Sequence, residues 1–325
     1  SKRCWSVRVC DKIRSRVAKV PAWLMFQNKS WSRVYHDPAS AMANGFLAEM
    51  TKDVDFSTIN FRVVDGIAYI TLNRPRSLNA INPQMVSELN LAMDRVDSDD
   101  AIKVAIVSGE GRAFSAGFDL KAAAERGPMD PIRWRSVLEA DLDLILRFWD
   151  SPKPTIAAVH GHCIGGAFEL ALACDISIAG ESTLMGEPEV RFGSGIVAML
   201  LPWITGPKQA KELLLTGEDR LTATRALQLG IVNNVVPDDE VLNSAIATAA
   251  KIVSAASSSV KFTKKAINRT YEIMGLRQAL LQSLELDIFI ESSGGPEGET
   301  FNRIRNEQGL QAALAWRNSR SSVPG

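Results

Sequence analysis

TIAAVHGHCIGGAFELALACDISI, residues 155–178, is the stretch on which the reading of the fold turns. Its first five residues are apolar or β-branched and predict a buried strand. A turn with Gly161, Gly165 and Gly166 follows, residues 167–173 predict a short helix, and 175–178 predict a further strand. A strand that runs through glycines into a helix leaves backbone N–H groups free at the helix start. There they and the helix dipole favour negative charge. Glu169 follows Gly166 by three residues, so its carboxylate sits one helical turn along on the same face. A donor for an oxyanion and a proton carrier are thus expected side by side. Glu169 also has a plainer explanation, because an acid in the first turn complements the dipole.

Composition sets outer bounds. The 325 residues are 46% hydrophobic and 23% charged, with 37 basic and 37 acidic side chains, the profile of a globular protein with ample core. A formal net charge of zero argues against a nucleic-acid partner. Cys4, Cys10, Cys163 and Cys174 form no C-x-x-C pair and there are only 3 histidines, so neither a disulfide framework nor a metal site is expected. No apolar run approaches the roughly 18 residues of a spanning helix. A soluble protein of a reducing, cytoplasmic compartment is expected, with no membrane partner.

Residues 1–50 differ from the rest and are read as a basic, poorly ordered extension. From Ser1 to His36 there are many Lys and Arg, and Asp11 is the only acid. No helical or strand period persists there. Such a segment also reads as an organellar transit peptide, which would make the compartment mitochondrial. A third reading is sequence upstream of a natural start at Met42 or Met50. We adopt the third, because nothing downstream needs the segment.

From Ile59 the pattern is regular. Residues 59–64 and 67–72 predict strands joined at Asp65-Gly66, a hairpin signal. Asn82 before Pro83 predicts a capped helix start, and Met85, Leu89, Ala92, Met93 and Val96 follow at helical spacing. A buried strand over 102–108 leads into a glycine-rich loop, 109–117, and a helix from Leu120. A long amphipathic helix is expected over 132–149. Strands alternating with helices indicate an α/β fold. Beyond a loop with Glu187, Pro188 and Glu189, helices are expected over 197–203, from Pro207, and over 241–254, 260–274, 279–290 and 301–317. The domain reading is a core over 51–250 and a helical C-terminal region over 251–325.

The loop FSAGFDL, 114–120, is a second candidate site. Small residues before a helix permit close backbone approach, and the Phe118 N–H is expected to be free near that helix's start. Donors at Phe118 and Gly166 would form an oxyanion hole for a carbonyl that becomes enolate-like. Sequence alone does not bring the two loops together.

FSAGFDLKA and GHCIGGAFELALACDI, with LNRPRSLNAI at 72–81 and GEPEVRFG at 186–193, resemble the enoyl-CoA hydratase/isomerase, or crotonase, family over about residues 59–318. The resemblance implies a crotonase-like spiral of ββα units with a helical C-terminal region that builds homotrimers or dimers of trimers. It implies an acyl-CoA thioester substrate held through its carbonyl by the N–H groups of Phe118 and Gly166. No further cofactor is implied, coenzyme A being part of the substrate. Glu169 matches one catalytic carboxylate of the family's hydratases and Glu189 the other. One would deprotonate water while the other delivers a proton to the α-carbon. Apart from the resemblance, Glu187 is as good a candidate as Glu189.

Contacts to CoA or substrate are expected from the loop 74–80 (Arg74, Arg76, Leu78, Ala80) and from Ala116, Asp119, Leu120 and Lys121. Arg76 and Lys121 would meet phosphate or adenine, or else are simply exposed basic side chains. His162 would line the acyl pocket, although a histidine near a turn is usually structural. Two departures from the family pattern stand out. Residues 190–197 (VRFGSGIV) replace the usual P-G-x-G-G stretch that helps to shape the acyl pocket, and Trp316 stands where a lysine is more common. The expected reaction is reversible hydration of a 2-enoyl-CoA to a 3-hydroxyacyl-CoA. The alternatives are isomerisation of a 3-enoyl-CoA and, from another class, a non-catalytic acyl-CoA or RNA-binding module.

Overall fold

The predicted hairpin begins the fold. β1 (Ile59–Val64) and β2 (Ile67–Leu72) pair antiparallel, from Ile59 opposite Leu72 to Val64 opposite Ile67. Asp65 and Gly66 between them hold φ of 50° and 78°, the turn whose twist matches that of the strands. α1 (Pro83–Ser98) starts as expected, with Asn82 Oδ1 accepting from Met85 N–H at 2.9 Å. Its five spaced apolar residues are all buried. The computed structural model describes residues 56–127 and 129–320, all within the compact unit 54–325. The expectations for residues 1–50 lie outside the described residues.

The strands β3 (Val104–Gly109), β4 (Thr155–Val159), β5 (His162–Ile164), β6 (Ile176–Gly180), β7 (Leu184–Gly186), β8 (Leu221–Thr222) and β9 (Asn234–Val236) complete two sheets. The larger has the order β1-β2-β3-β4-β6-β9 and is parallel beyond the hairpin; the smaller is β5-β7-β8. After β3 come α2 (Leu120–Glu125) and α3 (Pro131–Asp150), and after β5 comes α4 (Gly166–Ala173). The chain from β4 shows the repeating unit of the expected spiral: a strand in the large sheet, a short strand in the small one, then a helix.

Both faces of the inner strands β2, β3, β4 and β6 are covered, so these are buried almost throughout, whereas β1 at the edge alternates. Ile70, Leu72, Val107 and Val159 face the main core with α1, α3 and α4. Ile67, Val104, Ile106, Ile156 and Ile178 face the other way. The helices α5 (Leu201–Thr205), α6 (Pro207–Thr216) and α7 (Ala223–Gln228) precede α8 (Val241–Val253), whose Val241, Ala245 and Ala249 complete that second core. The C-terminal layer is helical as expected: α9 (Ser257–Ile273), α10 (Leu276–Ser293), α11 (Pro296–Gln308) and α12 (Leu310–Ser319).

Three local expectations are corrected. β5 and β7 fall where turns and loops are expected, because three residues are too few to display a period. The helix expected over 197–203 begins only at Leu201, since Val197 N–H donates to Glu169 Oε1 at 3.1 Å instead of entering a helix. The single helix expected over 301–317 is two, broken at Gly309, whose φ of 90° a helix cannot hold. Trp316 packs into the fold with Phe301, ring centroids 6.4 Å apart, and Phe301 stacks on Phe192 at 4.9 Å. No helix among the described residues is long and apolar enough to cross a membrane.

Candidate active site

The two glycine loops meet. Gly117 holds φ 83°, and a methyl group on its α-carbon would fall 2.5 Å from Ile164 O and 3.2 Å from Gly166 N, so only glycine permits the approach. Ser115 stitches the loops together: its N–H donates to His162 O (3.0 Å) and its carbonyl accepts from Ile164 N–H (3.2 Å). On the other side, Ile81 N–H donates to Gly117 O and Asp119 N–H donates to Ile81 O. That ladder passes over the Phe118 N–H. At the start of α4, Gly165 N–H donates to Gly186 O, while Phe168 and Glu169 N–H donate to Gly165 O. Among the described residues the N–H groups of Phe118 and Gly166 have no hydrogen-bond acceptor. Two unpaired donors from touching loops are what an oxyanion hole needs.

Asn79 anchors the approach from below. It is fully buried, its Oδ1 accepts from Arg74 N–H (2.9 Å), and its Nδ2 donates to the carbonyls of Glu110 (2.9 Å), Ala113 (2.8 Å) and Phe114 (3.2 Å). One amide thus ties the 74–80 loop to the loop that carries Phe118.

Two carboxylates face this place. Glu169 is 3% exposed; Oε1 accepts from Val197 N–H and, among the described residues, Oε2 is enclosed without a hydrogen-bond partner. Glu189 opens a 3₁₀ turn, Glu189–Phe192, and its Oε1 overlies Gly165, where a methyl group would come within 2.4 Å. Its Oε2 is also enclosed and unpartnered. Burial raises the pKa of Glu169, with the charge of Glu189 adding to the rise and the Val197 hydrogen bond opposing it. Burial raises Glu189 as well, against the opposing charge of Arg317. Two close, buried acids cannot both ionise cheaply, so the pair holds a proton near neutrality.

Both glutamates, Phe118 and Gly166 line one cavity of about 530 Å³, as do Ala116 and Leu120, a size ordinary for a small-molecule site. Glu187, although 2% exposed with both carboxylate oxygens unpartnered among the described residues, does not line it. The geometry therefore separates two acids that the residues alone leave equal.

The other candidates lie in or beside the loops around the cavity. Arg74 Nη1 donates to Asp119 Oδ2 (2.8 Å) and to Ala80 O, while Asp119 Oδ1 caps α2 by accepting from Lys121 N–H (3.0 Å) and Ala122 N–H (3.3 Å). These charges hold the loops to each other. Leu78, with φ 50°, shapes the loop and accepts from Ala116 N–H (2.9 Å). Arg76 and Lys121 are exposed. His162 lies two residues back along β5 from the cavity-lining Ile164, is exposed, and is not among the residues that line this cavity.

Asp141, Asp287 and Glu291 also line the cavity, and they escape the reading of the residues alone. A signal was present. Asp141 lies between Leu138 and Leu142 on the buried stripe of α3, and Asp287 continues the Leu280, Leu284, Ile288 stripe of α10. An acid at a core position of an amphipathic helix is an anomaly that asks for a reason.

The sequence model of the enoyl-CoA hydratase/isomerase family matches residues 62–293. A "Probable enoyl-CoA hydratase, mitochondrial" of Dictyostelium discoideum is 38% identical over 215 residues, 64% of this chain and 74% of that protein. A "Short-chain-enoyl-CoA hydratase" of Clostridium acetobutylicum is 36% identical over 209 residues, 62% of this chain and 78% of that protein. The crystal structure of an enoyl-CoA hydratase/isomerase from Xanthobacter autotrophicus Py2 superposes with a TM-score of 0.81 at 49% identity, covering 83% of this chain and all of that one.

Proposed function

The chain belongs to the enoyl-CoA hydratase/isomerase family, and from that premise we propose that it adds water reversibly across the double bond of a 2-enoyl-CoA to give a 3-hydroxyacyl-CoA. The observation that supports this reading best is Glu189 Oε1 lying over Gly165 while Glu169 stands one turn from Gly166, two proton-holding acids beside two free N–H donors.

In the proposed reaction the thioester carbonyl accepts from the N–H groups of Phe118 and Gly166. One glutamate takes a proton from water as its oxygen bonds to C3. The π electrons move to C2 and the carbonyl oxygen, and the other glutamate delivers a proton to C2. The pair needs one ionised and one protonated member, the state that its shared proton supplies. Each N–H would stabilise the enolate-like charge by about 3 kcal/mol, and each acid/base group would add roughly 10²–10⁴-fold. Coenzyme A arrives with the substrate, and the proposed steps draw on no resident cofactor. A homotrimer or a dimer of trimers is part of the proposal, as are Arg76 and Lys121 as contacts to the CoA phosphates.

Purified protein mixed with a series of 2-enoyl-CoA thioesters tests the reading. Loss of the conjugated thioester absorbance with formation of the 3-hydroxyacyl product is expected. Formation of a 2-enoyl product from 3-enoyl-CoA with no hydration of any 2-enoyl-CoA would replace it by isomerisation.

A further inference from the structure

The cavity holds more acid than the proposed hydration uses. Asp287, on α10, is 2% exposed, and both of its carboxylate oxygens are enclosed without a hydrogen-bond partner among the described residues. Asp141, on α3, is 8% exposed and its side chain makes no hydrogen bond among the described residues. The two lie near enough to each other and to Glu169 for their charges to interact, and Arg126 is the cation that acts on Asp141. A buried carboxyl without a partner is costly, and the buried positions that flank both are otherwise leucine or isoleucine.

The segment 194–197 brings Asp287 beside the reacting centre. Glu291 Oε1 accepts from Ser194 Oγ–H and from Gly195 N–H (3.3 Å). The Asp287 carboxylate lies against Gly195, where a methyl group would fall 1.9 Å from Oδ1. Two residues on, Val197 N–H donates to Glu169. This is the segment that departs from the family's P-G-x-G-G pattern, and its glycine at 195 makes room for Asp287. Burial pushes Asp287 up to about 8 and Asp141 up to about 7, so that near neutrality each can both donate and accept.

We propose that this pocket takes an acyl group bearing a hydrogen-bond donor, a hydroxyl or an ammonium, beyond its reacting carbons, and that Asp287 and Asp141 receive that donor. The proposal rests on the acyl-CoA hydratase reading and names its substrate class. A plain alkyl chain would return no hydrogen bond to either carboxyl. A site built to bond a substrate group discriminates strongly against the analogue that lacks it.

The test compares 2-enoyl-CoA thioesters of equal length ending in methyl, hydroxyl or ammonium. For the unaltered protein, kcat/KM for the hydroxyl or the ammonium form should exceed that for the methyl form by about tenfold or more. Which of the two leads shows whether the neutral or the ionised carboxyl does the binding. Asp287→Asn should shrink the preference and Asp287→Leu should reverse it. Dissociation constants for the saturated thioesters with the same three ends, which cannot be hydrated, read the pocket separately from the chemistry. Absent turnover with a preserved tenfold preference in Kd would overturn the hydratase reading and keep the pocket. Equal or tighter binding of the methyl form, unchanged in the Asp287 variants, would overturn the pocket.

Discussion

Glu189 Oε1 rests over the α-carbon of Gly165, with space there for a hydrogen atom and no more: a methyl group would come within 2.4 Å of the oxygen. Gly165 also holds φ 59° and ψ −133°, a conformation that other residues rarely adopt. The turn that frees the Gly166 N–H is therefore also the platform that sets the height of the second carboxylate. Gly165→Ala should lower kcat by about 10²-fold, the order expected when a reacting group is displaced by about an ångström. KM should rise as well, since the same turn presents the Gly166 N–H to the thioester carbonyl. A Gly165→Ala enzyme with normal kcat would show that Glu189 need not occupy this position.

Asn79 makes a different prediction, about the frame. Its amide is fully buried and bonds four backbone groups from two loops. Asn79→Ala leaves those groups unsatisfied and should destabilise the protein by about 2–4 kcal/mol, read as a lower denaturant midpoint. Asn79→Asp keeps the acceptor for Arg74 N–H but loses the three donations, so it should recover little. A midpoint unchanged in Asn79→Ala would mean that the loops are held without it.

The cavity acids set how stability depends on pH. Burial lifts Asp287 from 3.8 to about 8 and Asp141 from 3.8 to about 7. Between their unfolded and folded values the native protein holds protons that the unfolded chain has released. Stability therefore falls as pH rises through this window and levels off above about 8. Melting temperature should decline from pH 5 to pH 8 by this contribution, and Asp287→Asn should flatten the decline. An identical slope in that variant would show that Asp287 does not change its protonation on unfolding.

Much of this architecture is legible in the residues because local chemistry and fold agree. Asp65-Gly66 needs positive φ and has it, Asn82 caps α1, and the glycine turn at 165–166 opens α4 as read. The Phe118 and Gly166 donors belong to two separate loops, and the contact of those loops rests on Gly117 meeting Ile164 across the fold, which no local pattern encodes. The pairing of Arg74 with Asp119 at 2.8 Å joins residues 45 apart in the chain, which no local pattern encodes either. Asp141 and Asp287 are hidden for the opposite reason: their helices have clear apolar stripes, and an acid on the stripe is masked by its leucine neighbours. The choice between Glu187 and Glu189 likewise depends on which side chain turns into the cavity.

The paired-carboxylate account is tested most directly by hydration of crotonyl-CoA by Glu169→Gln and Glu189→Gln, each checked for intact fold by circular dichroism. Glutamine keeps the shape and removes the proton transfer. Both single variants should hydrate at least about 10²-fold more slowly than the unaltered protein. The double variant should fall well short of the product of the two losses, because the glutamates act as a unit. A folded Glu189→Gln protein that hydrates crotonyl-CoA at the unaltered rate would contradict the account.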